Sequence, residues 1–237
     1  MSQSRLIRSI LSSALQLWLR SLVTQAKGLA IAIDAGDRQL LGGRIPSVSL
    51  RADQVIYQGL HVLQLALQAS GIRINLGQVL RGKPVQLAEP VLAQMQAHVS
   101  ATDLNRSLQS ELLSTALAQV TQQLLPERHA FQVQHIDLGP GQITLQGQWI
   151  DDDRSSGAAQ LTARLTAQGS AIQVRAVEIR AKSSEHSSST DSSLRSKASP
   201  KTLSLPDRSF ALGDATLQQL TITADAITVE AQITILP

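Results

Sequence analysis

The sequence predicts an α+β fold, a largely antiparallel sheet packed on two amphipathic helices, and three observations predict it. The stretch QSRLIRSILSSALQLWLRSLVTQ (3–25) repeats apolar residues at helical spacing. The stretch from Leu104 to Leu124 does the same and stops at Pro126. Nearly everything else alternates apolar and polar residues with period two, in runs bounded by Gly, Pro and Asp.

On a helical wheel of the first stretch, Ile7, Ile10, Leu11, Ala14, Leu15, Trp18 and Leu22 form one apolar stripe, widened by Leu6 and Leu17. Arg5, Arg8 and Arg20 lie with serines and Gln16 on the polar side. No acidic side chain precedes Asp34, so Arg5, Arg8, Arg20 and Lys27 form a local basic excess, worth roughly 1 kcal/mol per group beside an anionic lipid surface. An ordinary core-packing helix with a solvated polar face has the same pattern. Between Arg8 and Arg20 only eleven residues are uncharged, several of them serine, well short of the roughly 20 apolar residues that a spanning helix requires. MSQSRLIR followed by ILSSALQLWL has the outline of a short signal peptide, but Arg20 follows at once and no A-x-A-like site occurs by Lys27. Gly28 is expected to cap this helix.

At 237 residues and 43% hydrophobic content the chain can bury a substantial core, expected to form a single domain. Aromatics are 2% of the chain, so that core rests on Leu, Ile, Val and Ala. The absence of cysteine excludes disulfides, thiolate metal sites and cysteine nucleophiles. A net charge of +3 is too small to point to nucleic acid.

After Gly28, Leu29, Ile31 and Ile33 alternate into a turn at Asp34 to Asp37, and RIPSVSLR (44–51) resumes the alternation with Pro46 marking an edge or bulge. Val55 to Ala69 fits both helix and strand templates. Its strand context favours one long strand, which puts His61 on a leucine-bearing face as a satisfied core or rim residue. A further strand is expected over Ile72, Ile74 and Leu76. Gly77 to Lys83 matches G-x-x-x-x-G-K, but Pro84 stands where a nucleotide loop needs Ser or Thr, so a turn is expected. Val91 to Val99 reads as a strand, and Ser100, Thr102 and Asp103 offer caps for the second helix.

Strands are then expected over Phe131 to Leu138 and Gln142 to Ile150, joined by Gly139-Pro140-Gly141. Asp151, Asp152 and Asp153 are adjacent carboxylates without Ca²⁺-loop spacing and read as a solvated hairpin tip. Leu161 to Ala167 and Ile172 to Ile179 form the next pair, with a parity shift at Ala176-Val177 that predicts a bulge. Between Lys182 and Ser199 nine of eighteen residues are serine, and a disordered insertion at 181–203 within the single domain (1–237) is expected. Thr216 to Ala224 and Ile227 to Ile235 close the chain as a hairpin.

No G-x-S-x-G or H-E-x-x-H occurs, and the histidines at 61, 98, 129, 135 and 186 lack metal-ligand spacing. His129 and His135 would stand about 20 Å apart along their strand. No enzyme, cofactor or metal site is indicated.

The segments SRLIRSILSSALQLWLRSLV, GDRQLLGGRIPSVSLRADQVIYQGLHV, IRINLGQVLRGKPVQL and TDLNRSLQSELL together resemble the LmeA-like phospholipid-binding family, in particular its cyanobacterial members. The resemblance covers roughly residues 1 to 150 well and the remainder more loosely, with the serine tract as a departure. It implies a non-enzymatic protein that binds phospholipid, and no catalytic motif is carried over. The residue pattern and the resemblance converge on a strongly curved antiparallel sheet wrapped about one or both amphipathic helices, resembling tubular lipid-binding folds, with acyl chains in an apolar groove between helix and sheet. The expected partner is phospholipid or an anionic membrane surface. The expected contacts are Arg5, Arg8 and Arg20 near headgroups and Ile7, Ile10, Leu11, Leu15, Trp18 and Leu22 along the apolar stripe. The expected location is the membrane periphery on the cytoplasmic side, with export through a weak N-terminal signal as the other route. Two other classes stay open: a structural or adaptor protein of the membrane periphery without lipid cargo, and a lipid-acting enzyme.

Overall fold

The computed structural model describes residues 25–79, 81, 83, 86–125, 129–150, 156–181 and 201–237. In chain order the first sheet receives β1 (Gln25–Asp34), β2 (Arg44–Tyr57), β3 (Leu60–Arg73) and β4 (Val91–Ser100). Short helices α1 (Asp37–Leu41) and α2 (Leu76–Val79) interrupt this run, and α3 (Ala101–Arg106) and α4 (Glu111–Leu124) follow it. The second sheet is built from β5 (Ala130–Gly139), β6 (Gln142–Ile150), β7 (Ser156–Gln168), β8 (Ala171–Ala181), β9 (Lys201–Leu205) and β10 (Arg208–Ala211). The chain then returns to the first sheet with β11 (Ala215–Ile222) and β12 (Ala226–Ile235).

The α+β class and the antiparallel pairing agree with the sequence, but the curved, tubular sheet does not. The first sheet runs β1-β2-β3-β4-β12-β11 and the second β10-β8-β7-β6-β5, with β9 also paired to β8, and neither is closed or strongly curled. The strands are divided between two open sheets instead of being gathered into one wrapped sheet. The sheets meet at the β11 edge. There the Gly141 N–H donates to the Ile222 carbonyl at 3.0 Å and the Leu217 N–H to the Gly169 carbonyl at 2.8 Å, so hairpin turns of the second sheet seal an edge of the first.

The expected long strand from Val55 is two strands. Tyr57 pairs with Leu60 across Gln58-Gly59, whose φ values of 48° and 80° give the two-residue left-handed hairpin turn. Gly28 has the anticipated left-handed φ of 60°, but within β1, where the register with β2 shifts, so it forms a bulge and not a helix cap. Gly36 opens a short helix where a plain turn was expected, and Leu76 belongs to α2. β2 is an interior strand, and Pro46 lies just beyond its last pair with β1, Asp34 with Ser47.

The second amphipathic stretch forms two helices. Ser100 caps α3 by accepting the Asp103 N–H, as its position suggested. Ser110 turns to extended backbone (ψ 141°) and caps α4 by accepting the Leu113 N–H, while Ser107 to Gln109 forms a 3-10 turn between them. The first amphipathic stretch, residues 3–24, lies outside the described residues, as do Asp151 to Asp153 and the serine tract between β8 and β9. The predicted bulge is present: Thr162 pairs with Glu178 and Arg164 with Arg175, leaving Ala176-Val177 opposite Ala163.

Helices α3 and α4 share the largest apolar core with the second sheet. Leu104 and Leu124 join Phe131, Ile136, Leu161 and Ile179 there, with Val99 and Ile227 of the first sheet at its margin. Two smaller clusters lie along the first sheet, one around Leu50, Ala52 and Val55 and the other around Ile45, Ile72 and Val91.

Candidate functional site

In an antiparallel sheet, directly opposed residues point to the same face. The register of the first sheet therefore defines rows that cross all six strands. One row is Ile31, Leu50, Leu67, Met95, Ala231 and Leu217. Its neighbour is Ile33, Val48, Ala69, Ala93, Ile233 and Ala215. Both are wholly apolar. Rows on the opposite face are predominantly polar, for example Arg51, Ala66, Gln96 and Glu230, where Gln96 donates to the Glu230 carboxylate at 3.1 Å.

Toward the β2 start and β3 end this apolar face deepens into a groove of about 360 Å³, within the range of small-molecule sites, about 300–1,000 Å³. Val48, Leu50, Leu67 and Ala69 form its floor. Ile72, Ile74 and Leu87 form one wall, fixed by the bridge between Ile74 and Leu87. Ile235, Leu236 and Pro237 form the other. Floor residues Val48, Leu67 and Ala69 are only half-buried, so the apolar surface is open to a ligand. Gln86 contributes a polar side chain to a lining that is otherwise apolar. Such a surface has no nucleophile or acid–base pair with which to do chemistry. It can hold hydrocarbon.

The predicted contacts Arg5, Ile7, Arg8, Ile10, Leu11, Leu15, Trp18, Arg20 and Leu22 lie outside the described residues. The groove itself was not found from sequence, because its floor assembles from strands far apart in the chain and only the register reveals it. His61 is half-buried, and its backbone N–H donates to Ser107 Oγ at 2.8 Å. His98 Nδ1 lies 2.9 Å from Thr228 Oγ1, His135 pairs with Asp137 at 3.3 Å, and the His129 ring packs at a tilt of 43° against Trp149, centroids 4.6 Å apart. These are local structural contacts, and no group of potential metal ligands occurs among the described residues. The G-x-x-x-x-G-K stretch includes α2 where a nucleotide loop would still be open.

A family model described as LmeA-like phospholipid-binding matches residues 3–232. The chain belongs to the LmeA-like phospholipid-binding family. That match extends through the second sheet and the serine tract, farther than the segments that carried the resemblance. The family is defined by what it binds and not by a reaction, which gives the chain a general phospholipid-binding, non-enzymatic role. No curated protein and no solved structure matches the chain. No helix among the described residues is long and apolar enough to cross a membrane.

Proposed function

We propose that the protein works at the membrane periphery and seats phospholipid acyl chains on the apolar face of the first sheet, in the groove floored by Val48, Leu50, Leu67 and Ala69. The observation that carries this reading is the pair of apolar rows spanning six strands and deepening into that groove. Burial of each methylene is worth about 0.8 kcal/mol, so six of them contribute about 5 kcal/mol, against roughly 1 kcal/mol for a basic group beside a lipid phosphate. Hydrocarbon contact sets the affinity, and headgroup contact modulates it. The amphipathic N-terminal stretch adds the second contact, with Arg5, Arg8 and Arg20 toward headgroups and the stripe from Ile7 to Leu22 shared between sheet and lipid.

Native mass spectrometry of the purified full chain tests the reading. Phospholipid is expected to co-purify with the wild type and to be lost from Ala69→Trp, in which an indole on the groove floor takes the place of the acyl chain while the melting temperature holds. An empty wild-type protein that also fails to float with liposomes would replace carriage with an adaptor role, and turnover of added lipid would replace it with catalysis.

A further inference from the structure

The open end of the groove has a composition that the groove does not require. Leu92 and Leu236 are 58% and 64% exposed, more than any other large apolar residue among those described. Both lie at this end, since Leu92 pairs with Thr234 and Leu236 follows two residues later. Around the β1–β3 side of the same end stand Arg38, Arg44, Arg73, Arg81 and Lys83, all exposed. They outnumber Asp34, Asp37 and Glu89 there, while Asp214 lies across the sheet on the β11 edge.

Arg44 and Arg73 occupy directly opposed positions on β2 and β3, an arrangement of like charges that weakens a strand pair unless an anion lies near. Glu89 meets Arg73 at 3.2 Å and relieves one of the two. The other end of the sheet presents a mixed set, with Asp103, Glu111 and Asp225 beside Lys27 and Arg106, the last within 3.7 Å of Asp103. Exposed leucines flanked on one side by arginine and lysine fit a surface that is apolar inside and anionic at its boundary.

We propose that this end of the first sheet, with Leu92 and Leu236 inserted and Arg44, Arg81 and Lys83 against phosphates, docks on an anionic lipid bilayer so that the groove opens onto it. The proposal rests on the reading that the groove holds phospholipid, and it names the surface with which lipid is exchanged. The first described residue, Gln25 at the start of β1, lies opposite Ile56. Along β2 that lies about 40 Å from the tip at about 3.4 Å per residue.

Co-sedimentation of the full chain with phosphatidylcholine vesicles, with and without phosphatidylglycerol, tests it alongside native mass spectrometry. Arg81→Gln with Lys83→Gln is expected to weaken binding to phosphatidylglycerol vesicles by roughly 30-fold, and Leu92→Gln, at a residue outside the groove lining, to weaken it without changing the salt dependence. Both variants keep their co-purified lipid. Unchanged vesicle binding by both variants overturns the docking surface. Loss of vesicle binding by these variants of a protein whose wild type carries no lipid supports the docking surface and overturns only the carriage on which it was built.

Discussion

Asn105 holds Ile136 by both of its backbone groups: Oδ1 accepts the Ile136 N–H at 2.8 Å and Nδ2 donates to the Ile136 carbonyl at 2.7 Å. β5 is an edge strand of the second sheet, and Ile136 is 1% exposed. An amide side chain on α3 thus takes the place of a neighbouring strand and ties the helices to the second sheet. It also donates to the Ala101 carbonyl at 2.9 Å, within its own helix.

Replacing Asn105 with alanine leaves both Ile136 groups buried and unpaired, at about 1–3 kcal/mol each. A loss of about 2–4 kcal/mol in urea unfolding is expected. Asn105→Asp is expected to lose nearly as much, because a carboxylate still accepts the N–H but cannot donate to the carbonyl. If Asn105→Ala unfolds at the wild-type urea midpoint, the clasp contributes nothing.

Gly147 on β6 is required by its neighbours. A Cβ built there lies 1.9 Å from the Gln132 carbonyl oxygen and 2.8 Å from its carbon, at the point where β5 slips register between Val133 and His135. Backbone cannot move aside as a flexible side chain can. Gly147→Ala is expected to destabilise the fold by about 3 kcal/mol, the upper end for overpacking, measured as a lowered melting temperature. By contrast, Gly141→Ala meets no atom within 4 Å, and its cost is confined to its φ of 69°.

The local pattern of this chain was legible, and its long-range assembly was not. Alternation identified β4, β6 and the closing hairpin of β11 and β12, and the parity shift at Ala176-Val177 located a bulge, because each depends on a few consecutive residues. Gln58-Gly59 was missed because apolar parity runs unbroken through the turn and Gln is an unusual residue at positive φ. The break at Ser110 was missed because Leu108, Leu112 and Leu113 keep helical spacing across it. β9 and β10 are too short and polar to stand out after the serine tract. Curvature depends on how strands are shared between sheets, so an expectation of one wrapped sheet failed where the chain built two. The candidate groove has the same origin. Leu50, Leu67 and Met95 meet only through the pairing of β2, β3 and β4.

The N-terminal stripe is decided by a variant that separates its two uses. Leu15→Glu with Trp18→Glu places two carboxylates on the apolar face without changing Arg5, Arg8 or Arg20. If that face meets lipid, the double variant loses binding to anionic vesicles while its circular dichroism and melting temperature match the wild type. If the face is packed permanently as core, two buried charges are far too costly to accommodate, and the variant unfolds or melts many degrees lower. Co-sedimentation and thermal melts on the same preparation therefore give opposite results for the two roles. A variant that stays folded and still binds vesicles would remove the stripe from the membrane contact and leave the tip around Leu236 to supply it.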